Sequence, residues 1–223
     1  MVQDKEQVTQ NATELVPGVG SSYTNGWRQL RRYFLKLFLI GILGAIIGIL
    51  SEIGGWTGGG VAAAIILGII GFAYSILIAG PLEYGVSFAH LKAVRGDKLV
   101  IKDMFEAFRN YRNAVLANVL VGVIVVIGTV LLIIPGIIFG CKLAFTPYLV
   151  VDRKMRVIEA VRNSWRMTNG HAWKVFLITL LAIPISIAGL IVFGVGIIVS
   201  IMWIRLAMAS LYQSVSLSDK VSD

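Results

Sequence analysis

The stretch IIFGCKLAFTPYLVV (137–151), followed at once by DRKMR (152–156), decides how this chain is built. Its 15 residues would make about 22 Å of helix, interrupted by Pro147. A hydrocarbon core ~30 Å thick asks for about 20 residues. On length alone the stretch is therefore either a short span or a re-entrant segment. Charge distinguishes the two.

Five other apolar runs fall at 33–51, 61–80, 114–134, 173–190 and 197–213. Lysine and arginine collect in three places: before and at the opening of the first run, between the second and third, and between the fourth and fifth. Lys220 lies in the C-terminal stretch, Lys36 and Lys174 sit in the opening residues of their runs, and Lys142 and Arg205 stand deeper inside theirs. None of the 20 cations falls in the turns at 52–60, 135–136 or 191–196. Positive residues mark the cytoplasmic side of a membrane protein. If 137–151 failed to cross, the cationic loop after it would lie outside. Six spans with both termini inside satisfy every loop.

Composition agrees. The mean hydropathy is +0.83, and 57% of the 223 residues are hydrophobic against 14% charged. Soluble domains carry about 25% charge. The expected fold class is all-α: a polytopic bundle of three helical hairpins, with residues 27–213 as the transmembrane domain. Residues 1–26 are polar, lack the apolar core of a signal peptide, and are expected as a flexible cytoplasmic tail, as are 214–223. The single cysteine, Cys141, and the two histidines, His90 and His171, offer no metal or redox framework. Outside, only a glycine-rich turn with Glu52 and Trp56 and two tight turns remain, too little for a receptor.

The two longer cytoplasmic loops carry a repeat. MFEAFRNYR (104–112) aligns with VIEAVRNSW (157–165), with four identities and three further matched apolar positions. Read as helices, Met104, Phe105, Phe108 and Tyr111 form one apolar stripe, and Val157, Ile158, Val161 and Trp165 the other. Glu106–Arg109 and Glu159–Arg162 would be weak i, i+3 ion pairs. Each copy is expected as an amphipathic helix at the inner interface, its apolar side toward lipid or the bundle, either bracing the hairpin that follows it or serving in gating or in docking a partner. GWRQLRRYF (26–34) precedes the first hairpin similarly, without the Glu-Ala pair. Gly44/Gly48, Ala64/Gly68 and Gly136/Gly140 carry the four-residue spacing that lets membrane helices approach closely.

The second copy and its continuation, EAVRNSWRMTNGHAWKVF (159–176), resembles uncharacterised bacterial multi-pass membrane proteins. It is also similar to the membrane domain of membrane-anchored glycerophosphodiester phosphodiesterases. Glu159, Ala160, Ser164, Trp165, Thr168, Gly170, Trp173 and Phe176 carry the likeness, with GPLEYG (80–85) and LLIIPGI (131–137) in support. The resemblance, over 80–213, implies a helical domain in the bacterial cytoplasmic membrane and supplies no active site. No stretch outside the runs is long enough for a barrel hydrolase.

Buried charge is the remaining functional signal, because ionisable residues inside a membrane are costly. Lys142 lies near the outer end of its run and is expected to snorkel outward. Arg205 stands mid-run with no carboxylate at its depth. Backbone carbonyls near a proline, the Asn118 amide or a bound anion are its expected partners. Glu83, beside Pro81, is expected to clamp an arginine of the repeats, Arg109 or Arg162. No nucleophile, metal or phosphate-loop motif is present, so neither catalysis nor a cofactor is expected.

The leading expectation is a non-enzymatic protein that organises or assists partners or lipids at the inner leaflet, with anionic lipids on its basic helices and either a second copy or another membrane protein as partner. The alternative is a small anion or lipid transporter with Arg205 in its path. A basic surface without an aromatic stacking strip gives no reason to expect nucleic acid.

Overall fold

The computed structural model describes residues 17–49, 61–191 and 195–222. Every regular element among them is helical. In chain order they are α1 (Val19–Ile49), α2 (Val61–Tyr74), a π turn (Ser75–Ala79), α3 (Gly80–Arg95), a 3-10 helix (Ile101–Asn110), α4 (Tyr111–Leu131), α5 (Ile133–Leu143), α6 (Thr146–Asp152), α7 (Val157–Met167), α8 (Ala172–Ile191) and α9 (Val195–Ser222). The expected turns at 52–60 and 191–196, and the Gly48 and Ala64 side chains, lie wholly or partly outside the described residues.

Five stretches are long and apolar enough to cross a membrane: Ile65–Arg95, Ile101–Leu131, Ile133–Asp152, Ala172–Ile191 and Gly196–Asp219. The expected run 33–51 belongs to the 31-residue α1, which is not among the five. Part of each stretch expected as a tail is helical. Helix α1 already begins at Val19, and α9 runs on to Ser222 with Ser214, Val215 and Ser216 buried.

The core is gathered at one end of the molecule. Leu30, Leu37 and Ile40 of α1, Leu82, Ala89 and Leu91 of α3, Leu149 and Val150 of α6, and Leu206, Leu211 and Tyr212 of α9 are buried together. Toward the other end the helices become apolar arms. Ile65, Ile69 and Phe72 of α2, Val126 to Ile134 around the α4–α5 turn, and Ile183, Ile187 and Leu190 of α8 include many large exposed side chains. Helix α9 packs against α1, α8 and α3, and α4 packs against α5.

Local chemistry explains the boundaries. Gly96 ends α3 in the left-handed conformation at φ 77°, where L-residues are strained. Leu132 alone, in extended conformation, separates α4 from α5. Pro135 and Gly136, the expected turn, instead open α5, where a missing amide hydrogen costs nothing. The 137–151 run is broken: α5 stops at Leu143, α6 restarts at Thr146, and Pro147 sits in the first turn of α6.

That break explains the second copy of the repeat. The Ser164 hydroxyl donates to the Lys142 carbonyl at 2.9 Å and accepts the Phe145 N–H at 3.2 Å. Thr168 Oγ1 lies 3.1 Å from the same Lys142 carbonyl. Backbone groups freed inside an apolar protein must be satisfied by something nearby, and α7 supplies the hydroxyls.

The first copy differs from expectation in its period. Residues 101–110 wind as a 3-10 helix, so residues three apart eclipse, and Met104 and Ala107 turn inward. Phe105 and Tyr111 are exposed, whereas Phe108 packs partly on the core. In α7 the inward residues are Ala160, Ser164 and Met167, and Ile158 and Trp165 face out. The alanine of the shared Glu-Ala pair is thus fully buried in both copies, while Phe105, Tyr111, Ile158 and Trp165 are exposed.

Gly85 is what lets the first copy dock: a Cβ there would overlap the Met104 carbonyl. Gly136 likewise admits the α4 backbone at Thr129. Gly68 and Gly140, expected as packing positions, have no neighbour within 4 Å among the described residues. Gly85→Ala is expected to destabilise the protein by about 1–3 kcal/mol, the usual range for overpacking. Gly68→Ala is expected to be neutral or slightly stabilising. Thermal unfolding in detergent compares the two.

Candidate functional site

The π turn places an extra residue in the helical winding just before α3. Past it, Leu82, Glu83, Val86 and His90 recur at helical spacing and share one face. Helix α9 opposes them with Ile198, Ile201, Met202 and Arg205, and α1 closes the third side with Ile40, Gly41, Gly44 and Ala45. Together these residues line a cavity of about 300 Å³. Its walls are apolar apart from three side chains, Glu83, His90 and Arg205.

Arg205 Nη2 donates to Glu83 Oε1 at 3.0 Å. This corrects both sequence expectations for the pair. Glu83 clamps neither Arg109 nor Arg162, and the carboxylate missing from Arg205's depth is Glu83, because α3 continues four turns past the expected end of its span. The pair stands at the cavity mouth, with the Arg205 and Glu83 side chains 33% and 64% exposed. Among the described residues this is the only hydrogen bond of the Arg205 guanidinium, which has five N–H donors. His90 lies deeper and is 1% exposed. Its Nδ1 is 2.7 Å from the Val86 carbonyl, an acceptor, so Nδ1 carries the hydrogen. Its Nε2 is buried with no partner among the described residues.

The other expected residues go elsewhere. The Asn118 amide packs against Gly80, where a Cβ would overlap it, and among the described residues it bonds neither Arg205 nor a carboxylate. Lys142 does not reach outward. It sits in the last turn of α5, donates to the Asn169 side chain, and lies 5.5 Å from the Trp165 ring centroid. Arg109 pairs with Glu106 on its own helix at 3.1 Å. Glu159 and Arg162 make no ion pair among the described residues and stay exposed.

The clamp of the packed end is one the sequence did not announce. Arg95 grips Asp152 with two bonds of 2.5 and 2.7 Å, and its Nε donates to Gln213 at 2.8 Å. The Tyr212 hydroxyl adds a bond to Asp152 at 3.3 Å, and the Tyr212 ring stacks on Tyr148 at 4.9 Å. Three helices, α3, α6 and α9, meet there. Lys92 and Asp103, 3.0 Å apart, tie α3 to the 3-10 helix. Among the described residues no group of three or more His, Cys, Asp or Glu side chains could hold a metal ion.

Asp152→Ala leaves a largely buried guanidinium without its counter-charge and is expected to cost up to about 3 kcal/mol, toward the lower end for a broken buried pair. Glu106→Ala breaks an exposed pair and should cost less than about 1 kcal/mol. Denaturant unfolding of the detergent-solubilised chain measures both.

Residues 111–219, from α4 through most of α9, match the model of a family described as Protein of unknown function (DUF975). No curated protein and no solved structure matches the chain. Over those helices the chain is similar to an uncharacterised family, and the α1 and α3 walls of the cavity lie outside the matched segment.

Proposed function

We propose that this chain is a non-enzymatic, six-span protein of the bacterial cytoplasmic membrane that engages anionic lipids or membrane partners at the inner leaflet. The observation that carries this reading is the outer face of α7. Ile158, 70% exposed, stands there with Val161 and Trp165 beside Arg162 and Arg166, around a shallow groove. An apolar strip flanked by cations suits the boundary between acyl chains and acidic headgroups. Exposed Trp27, Trp165 and Trp173 fit an interfacial belt.

In this reading α1 supplies the sixth span, and the spans pair as three hairpins dipping from the cytosol. The cationic loops and the packed end then share the inner side. The resemblance to phosphodiesterase membrane domains accords with a bundle that works beside lipid chemistry without performing it. Transport through the Arg205 cavity is the second reading. It draws on the polar groups at the cavity mouth, although most of the wall is apolar.

Two measurements test the proposal. In a Cys141→Ala background, single cysteines at Lys98 and Lys154 should resist membrane-impermeant maleimide in intact cells and react once the cells are opened. Labelling of either in intact cells overturns the topology. Arg162→Gln with Arg166→Gln should lower the preference for anionic over zwitterionic lipid about thirtyfold, given about 1 kcal/mol per cation at the surface. Native mass spectrometry from mixed-lipid nanodiscs reads it, and an unchanged preference removes α7 as the lipid contact.

A further inference from the structure

The cavity between α1, α3 and α9 has the chemistry of a binding site. It measures about 300 Å³, at the low end for small-molecule pockets. Gly41 and Gly44 create much of the room, since a Cβ at either would make only ordinary contacts at 3.7 Å. Arg205 has four N–H donors unused among the described residues, and Glu83 keeps Oε2 free. The buried His90 Nε2 has no partner among the described residues and belongs to a side chain lining the cavity. A buried polar nitrogen left unsatisfied costs about 1–3 kcal/mol. It signals either a functional group or a missing partner.

The three groups make complementary demands. Arg205 asks for an anion. Glu83 and His90 Nε2 ask for a hydrogen donor. The remaining wall, built from Ile40, Leu82, Ile198, Ile201 and Met202 among others, asks for hydrocarbon. A molecule joining an anionic group, a hydroxyl or ammonium donor and an acyl chain meets all three. A bilayer phospholipid with a donor-bearing headgroup has this composition.

We propose that this cavity holds the headgroup of one membrane phospholipid, phosphate on Arg205 and headgroup donor toward Glu83 and His90. The site is distinct from α7, and it rests only on the chain being embedded in a bilayer. Choline headgroups, which carry no hydrogen donor, fit poorly. Inorganic phosphate lacks the chain that the apolar wall accommodates.

The test uses the full chain in detergent, with thermal unfolding followed as short-chain lipid is added. Dioctanoyl phosphatidylglycerol and dioctanoyl phosphatidylethanolamine should raise Tm in a saturable way. Dioctanoyl phosphatidylcholine should bind about tenfold more weakly, the equivalent of one lost hydrogen bond to a charged group, and inorganic phosphate should have no effect. Arg205→Gln should abolish the shift. Gly44→Leu, which fills the cavity and leaves every charged group in place, should abolish it as well, so the test survives if Arg205→Gln fails to fold. Arg162→Gln with Arg166→Gln should leave it intact, separating this site from the α7 surface. Equal binding of the choline lipid, an equal response to inorganic phosphate, or a full shift in Gly44→Leu would each overturn the proposal.

Discussion

Arg95 and Asp152 hold the packed end together. One guanidinium, bonded through both terminal nitrogens to one carboxylate and through Nε to Gln213, joins helices that are distant in the chain. The fork geometry of arginine suits this role, because lysine offers a point charge without fixed direction. Tyr212, stacked on Tyr148, brings a phenol to Asp152. The positions of α3, α6 and α9 follow from that junction, and with them the walls of the cavity, two of which belong to α3 and α9.

The rest of the architecture divides by what each end can bury. At the packed end, side-chain hydrogen bonds reach backbone carbonyls across the fold: Tyr33 reaches the Gly96 carbonyl at the end of α3 at 3.1 Å, Trp203 donates to the Tyr23 carbonyl in α1 at 2.9 Å, and Ser164 closes the α5–α6 break. At the other end the helices satisfy their own backbones and expose apolar side chains. That division suits lipid as the surrounding medium: within hydrocarbon, irregular backbone is tolerated only where protein covers it.

Much of the helical layout was legible because it follows from hydropathy. Five of the six apolar runs fall on stretches long and apolar enough to cross a membrane. What escaped was contact information. The Glu-Ala repeat was visible, but its apolar stripes left open whether lipid or the bundle would meet them, and the buried positions include the small Ala107 and Ala160. Periodicity ranks residues by greasiness, and in a lipid-facing helix the greasiest residues face outward. Arg205 stood out from its depth alone, but its partner did not, since α3 continues past the point where the hydropathy of its run ends. His90 could have been found from its seven-residue spacing to Glu83. Arg95 and Asp152 had no such signal, since both sit among other charges and only the tertiary fold selects them.

The turn between α4 and α5 consists of a single residue, Leu132, flanked by Leu131, Ile133 and Ile134, each at least 68% exposed. Such a tip has no polar group to moor it among headgroups. Placed in a bilayer, this hairpin would be pinned at its base alone, and its free end could slide in depth as the membrane thins or thickens. Mismatch costs that tilt or strain doubly anchored helices would then bear lightly on this arm, leaving its vertical position to be set by Tyr111 and the cations at its foot.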